Sequence, residues 1–140
     1  MLATGLDVIR DSTGCDAVCL ALFDDEHTHI SKVHFAQADF TTINAEQLQG
    51  EKLADYPWLM GKLEHLRLLE FCDTANPDKS QSADAKRFKK YSIASILLIG
   101  LTVEQRSAGF LALLHGQPME EWEVDHKLLL KLLGSSLASG

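Results

Sequence analysis

The chain carries three cysteines, Cys15, Cys19 and Cys72, and six histidines, the side chains best suited to nucleophilic or metal chemistry. Cys15 and Cys19 are four apart, a spacing that shares a face only within a helix. They straddle an expected helix end and the start of an expected strand, so they read as separate buried thiols. Three cysteines without a metal-ligand spacing are the pattern of reduced thiols in a cytosolic protein. His27 and His29 flank Thr28 on an expected hairpin turn, open to solvent. His34 and His115 fall on expected strands, where a lone histidine is normally held for structural reasons. No carboxylate or cysteine stands at metal spacing to any of them, so no metal site is expected. No glycine-rich phosphate loop and no serine nucleophile elbow occur, and no catalytic residue is assigned.

Lys79, Lys86, Arg87, Lys89 and Lys90 gather five of the thirteen basic residues into a dozen positions of a chain whose net charge is −7. The plain reading is a solvated helix face. The sharper one is an electropositive lip over a pocket, favouring an anionic ligand or docking a partner domain, with Trp58, Phe88 and Tyr91 as aromatic walls. The acidic balance argues against nucleic acid or anionic membrane as the main partner. The longest unbroken apolar run, residues 96–99, is far too short to span a bilayer. Residues 1–5 lack a basic region followed by an apolar core, so no secretory signal is read and a cytoplasmic location is expected.

These residues need a scaffold, and 140 residues supply one domain with one substantial core. Its organising stretch is 91–115, where apolar runs at 93–103 and 108–114 flank a polar break of hairpin length. Ile93, Leu97, Ile99 and Leu101 are read as one face of the first run, Ile96 and Leu98 as the other. With both faces apolar, this hairpin belongs in the centre of a sheet covered by helices on both sides. Residues 2–13 form a helix through Leu2, Leu6 and Ile9, stopped at Gly14. Residues 17–23 and 29–38 pair as a second hairpin. Residues 41–54 are a polar connection with at most a turn of helix. Asp55-Tyr56-Pro57-Trp58 starts a helix whose apolar face is Trp58, Leu59, Leu63 and Leu66. A short strand at 67–71, a loop at 72–80 and a helix at 81–91 with Phe88 and Tyr91 inward follow. Gly116-Gln117-Pro118 opens the last helix, which runs to about residue 138, with Glu120, Glu121, Glu123 and Asp125 at its positive end. The whole is an α+β sandwich of three layers.

The ordered series Pro57-Trp58-Leu59 and Leu63, the strand 68–71 ending at Asp73, Ser95, Leu101, Gly109-Phe110-Leu111 and Trp122-Glu123-x-Asp125 before a leucine-rich helix resembles the GAF domain family over nearly the whole chain. Where the family often has Val-Pro-Leu, this sequence has Ile99-Gly100-Leu101. The resemblance implies a central antiparallel sheet in the order 2-1-5-4-3. It places the terminal helices on one face, and the middle helices and loops over a small-molecule pocket on the other. It also implies a non-catalytic sensory module of bacterial signal transduction, as in two-component systems, acting on a neighbouring output domain. Bilin-binding members attach their chromophore through a cysteine in the helix before the central hairpin; residues 81–91 contain none, so covalent bilin is not expected. A few members reduce free methionine sulfoxide through cysteines near the pocket, which leaves a Cys72-dependent reductase as the rival reading and a ligand-free dimerisation module as a third.

The expected pocket is lined by Trp58, Leu63, Phe71, Cys72, Phe88, Tyr91 and Ile93, with Lys86 or Lys90 at the rim. The middle helices and the loop at 72–80 carry too few large apolar residues to fill the space above a wide sheet. The ligand and any cofactor are unidentified. On a helical wheel from Trp122 to Leu137, the apolar residues span roughly 200°, against the ~100° that one sheet contact needs. A homodimer bundled through the terminal helices is therefore expected, through Leu2, Leu6, Ile9, Leu130 and Leu137. A helix starting almost at the first residue and the close at Leu137-Ala138-Ser139-Gly140 fit a single domain, 1–140, excised from a larger signalling protein.

Overall fold

The computed structural model describes residues 2–38, 43, 45–63, 68–103 and 106–139, and at positions 2–4, 103 and 134–139 the backbone alone. Helix α1 (Leu2–Thr13) ends where Gly14, at φ +69°, turns its N–H back to the Arg10 carbonyl at 2.8 Å. Strands β1 (Ala17–Phe23) and β2 (Ile30–Gln37) follow as a hairpin. Its turn is organised by Asp24, whose carboxylate accepts the Thr28 N–H at 2.7 Å and the Thr28 hydroxyl at 2.6 Å. Two 3-10 turns, Ala45–Leu48 and Leu53–Asp55, lead into α2 (Pro57–Leu63). Then come β3 (Leu68–Phe71), a 3-10 turn at Lys79–Gln81, α3 (Ser82–Lys90), β4 (Ser95–Val103), β5 (Arg106–His115) and α4 (Val124–Ser139).

Among the described residues the strands form one antiparallel sheet in the order β2-β1-β5-β4-β3, as the resemblance implied. Alternation along each strand divides the core in two. Ile96, Leu98, Phe110, Ala112 and Leu114 face the middle helices, while Leu97, Ile99, Leu101, Leu111 and Leu113 face the terminal ones. Ile93 is an exception to the expected pattern. It precedes the first residue of β4, so strand alternation does not apply to it, and it packs with Ile96 and Leu98 instead of Leu97.

The last helix differs more. It begins at Val124, not at residues 116–118, so Glu120, Glu121 and Glu123 lie ahead of it and only Asp125 occupies its first turn. Trp122 is not helical. It is buried under α4, its backbone N–H on Glu70 Oε1 at 3.1 Å and its ring against His115 at 5.1 Å. A wheel anchored on Trp122 is therefore out of phase, and the expected partner contacts need correction. Leu130 is 0% exposed within the single chain and Leu6 is buried with it, both in the core between terminal helices and sheet; Ile9 packs against that core. Leu130 and Leu6 are not free to face a partner, while Ile9 is partly buried. The side chains of Leu2 and Leu137 lie outside the described residues, as does Leu66. The apolar surplus is real but lies elsewhere. Val124 (63% exposed), Leu128 (53%) and Leu132 (72%) repeat every four residues along the outer side of α4.

Candidate ligand site

Three segments cover the inner sheet face: α2, α3 and the strap of residues 45–55. Helix α2 is only seven residues long, too short to hold itself together by propensity. It is fastened by Asp84 of α3, fully buried, which accepts the backbone N–H of Trp58 at 3.1 Å and of Leu59 at 2.8 Å. These are two of the donors that a helix start leaves without intrahelical partners, with Pro57 ahead of them needing none. Burial pushes the Asp84 carboxyl up, and the two N–H groups draw it back. A carboxylate on one helix thus caps another and fixes their relative position.

The structure brings Trp58, Leu63, Phe71, Phe88, Tyr91 and Ile93 together on this face. Phe71 meets Trp58 edge-on at 5.4 Å and Phe88 at 6.0 Å, and Tyr56 lies 5.4 Å from Phe88. Cys72 does not belong with them. Strand alternation continues past Phe71 and carries Cys72 to the opposite face, against the terminal-helix core. Lys90 sits 5.7 Å above the Tyr91 ring, while Lys86 lines a shallow outer groove of about 540 Å³ with Lys79, Asp55 and Arg87.

Among the described residues the expected ligand-sized concavity is closed. What remains is a void of about 10 Å³, room for one water molecule at most, walled by Ile30, Leu48, Leu53, Tyr56, Leu59 and Phe88 among others. Leu48 and Leu53 fill it from the strap, which the sequence pattern presents only as a polar connection. Tyr91 does not line it.

Tyr56, on the wall of this void, belongs to a polar cluster that sequence pattern does not reveal. Arg87 Nη2 lies 2.7 Å from both Glu51 carboxylate oxygens, and the Tyr56 hydroxyl donates to Glu51 Oε1 at 2.8 Å. The Tyr91 hydroxyl interacts with the same carboxylate, and Asp55 is 3.8 Å from Arg87. Burial works to raise the Glu51 carboxyl, but the Arg87 guanidinium and the two tyrosines hold it below the usual carboxylate range. Burial, and then Glu51 itself, push the Tyr56 phenol up, so it stays a donor. Among the described residues Arg87 Nε is buried without a partner. For the Asp84 clamp one signal was available: Asp84, Phe88 and Tyr91 fall at i, i+4 and i+7, which puts a charge on an apolar stripe. Glu51 lies 36 residues from Arg87, and no local pattern links them.

The thiols are poorly placed for chemistry. Burial raises Cys15, raises Cys19 to about 12, and raises Cys72, which Glu70 pushes further. The reactive thiolate is the form that all these shifts suppress. Among the described residues no three His, Cys, Asp or Glu side chains come together to hold a metal ion, and no helix is long and apolar enough to cross a membrane.

No protein-family model and no curated protein sequence matches the chain. Solved structures do. The phycoerythrobilin-bound GAF domain of a cyanobacterial phytochrome superposes with a TM-score of 0.77 at 15% identity, over 98% of this chain and 81% of that one. The blue-light-absorbing form of the Thermosynechococcus elongatus PixJ GAF domain gives 0.73 at 15%, over 98% and 80%. The chromophore-binding domain of Stigmatella aurantiaca phytochrome P1 gives 0.70 at 13%; it covers 96% of this chain, which spans half the length of that one. At such identities the likeness speaks for architecture, and strand order, layer assignment and superposition agree: the chain has the fold of a GAF domain.

Proposed function

We propose that this chain is a non-catalytic regulatory domain that senses a small molecule beneath the strap and passes occupancy to a neighbouring output domain through α4. The observation that carries the reading is the Glu51–Arg87–Tyr56 cluster, which ties the strap to α3 beside an apolar void that Tyr56 lines. A sheet face covered by short pieces and latched by ions can open, whereas one covered by long packed helices cannot do so cheaply. The suppressed thiols weigh against the reductase alternative. One of the similar solved structures is phycoerythrobilin-bound, but α3 here has no cysteine and a linear tetrapyrrole is many times larger than the void, so the reading does not extend to a bilin. Two copies pair across the Val124, Leu128 and Leu132 stripe, which gives the shift in α4 a partner to act on. These exposed residues take the place of the buried Leu130 in that contact.

Native mass spectrometry of freshly purified protein, looking for a retained small molecule, tests the sensor reading. Light scattering of the wild type and of Leu128→Glu/Leu132→Glu tests the pairing, and a wild-type monomer refutes it. The small void favours one second reading, a ligand-free dimerisation module. That reading takes over if nothing is retained, no small-molecule panel raises the melting temperature, and the wild type still dimerises.

A further inference from the structure

Glu51 is an odd latch. Its two oxygens share a single guanidinium nitrogen, although an arginine offers a carboxylate two parallel donors. Nε and Nη2 are the nitrogens of the side-on fork, and here Nη2 is doubly used while Nε is buried and empty. A buried donor without a partner carries a standing desolvation cost. The position of Glu51 is set by its backbone, not by this contact. The Ile30 N–H donates to the Glu51 carbonyl at 2.9 Å, and the Gly50 N–H to the Ile30 carbonyl at 2.8 Å, with Gly50 at φ +93°. Leu48 and Leu53 on either side reach into the void. The strap thus presents an apolar body of two leucine side chains together with one carboxylate, to a site with apolar walls and the converging Arg87 and Tyr56 donors.

We infer that Glu51 is an internal stand-in for the head group of a guest, and that this site takes a small amphiphilic monocarboxylate, whose carboxylate replaces Glu51 on the Arg87 fork while its tail replaces Leu48 and Leu53. A free carboxylate, not tethered to the Ile30 backbone, can engage Nε and Nη2 together and satisfy the donor that Glu51 leaves empty. The Tyr56 and Tyr91 hydroxyls then serve the guest. This rests on the sensor reading above and adds the chemical class of the ligand.

The probe is octanoate, with 1-octanol as the neutral control of like tail and acetate as the head group alone. Removing the competing carboxylate by Glu51→Ala, or by the closer isostere Glu51→Gln, tightens octanoate binding at least about tenfold by calorimetry, since the guest no longer displaces charge-assisted hydrogen bonds. Octanol gains nothing, acetate binds more weakly than octanoate, and Arg87→Met in the Glu51→Ala background abolishes the gain. The Glu51→Ala melting temperature falls and octanoate restores it. In the wild type, needing no variant, saturating octanoate shifts the Arg87 Nε–H resonance and octanol does not. Equal gains for octanol and octanoate, or a folded variant that binds octanoate no tighter than wild type, overturn the proposal; should neither variant fold, an unmoved Nε–H resonance does so. If native mass spectrometry finds a retained neutral molecule while octanoate shows no gain, the carboxylate assignment fails and the sensor reading stands.

Discussion

Gly109 and Gly61 invite the same substitution with opposite results. Gly109 lies in β5 between Leu22 of β1 and Leu101 of β4, where the ladder shifts register just beyond Leu101. A Cβ there would sit 2.0 Å from the Ala21 carbonyl oxygen and 3.1 Å from the Leu22 Cα, both backbone atoms that no rotamer change can move. Because a Cβ contact below 3.0 Å does not occur, β1 and β5 must part locally by roughly 1 Å. That stretches ladder hydrogen bonds beyond useful length. Losing two such bonds at about 1 kcal/mol each, with the usual overpacking cost of about 1–3 kcal/mol, makes Gly109→Ala destabilising by about 3–5 kcal/mol. Gly61, exposed in α2, has nothing within 4 Å of its would-be Cβ. Gly61→Ala should stabilise by about 0.5–1 kcal/mol through backbone entropy alone. Urea denaturation followed by tryptophan fluorescence and circular dichroism measures both. A Gly109→Ala loss under about 1 kcal/mol would show that the central strands yield freely, and would refute the close-approach argument.

Asp84→Ala leaves the Trp58 and Leu59 N–H groups without their acceptor and should cost about 2–3 kcal/mol in the same assay, with Asp84→Asn recovering part of the loss. Asp24 is held at about 2 by the Thr28 hydroxyl and the Thr28 and His29 N–H groups. A lowered folded value contributes stability above the unfolded value that is lost as pH falls, so wild type should weaken between about pH 3.8 and about pH 2 and Asp24→Asn should show a shallower acid slope. Glu51, also lowered, works in the same direction, and Glu51→Gln should flatten the acid limb further. Native alkylation by iodoacetamide near pH 8 should run at least about tenfold slower than in urea for every cysteine, half-exposed Cys72 reacting first; a native Cys72 that reacts as fast as the unfolded thiol would revive the reductase reading.

The sheet was legible because its signals are local and redundant. Apolar runs of strand length, two polar breaks of hairpin length and Pro57 at a helix start each pointed to the element found. Cys72 was misplaced although the alternation of side chains along a strand, carried one residue past Phe71, puts it on the far face. Leu130 was misread because the wheel began on Trp122, a bulky apolar residue ahead of the helix. The strap escaped for a different reason. Residues 45–55 fold as single 3-10 turns with no periodicity to read, and Leu48 and Leu53 are isolated among polar neighbours. Their burial, like the meeting of Glu51 with Arg87, follows from tertiary packing that only the assembled sheet creates.

Strand β2 is the outermost member of the sheet, and an outermost strand displays backbone donors and acceptors to which any extended chain can add. Residues 49–53 occupy that row: Leu53 N–H bonds the Thr28 carbonyl at 2.9 Å, Lys52 bridges His29, and the Gln49 side-chain carbonyl takes the Val33 N–H at 3.1 Å. The strap is therefore a guard on the sheet's margin as well as a plug. Any event that lifts it to admit a guest also bares a template for strand addition, so the open molecules are the adhesive ones. Turbidity on prolonged incubation should then track the open fraction, and a guest that lets the strap settle back would act as a solubiliser.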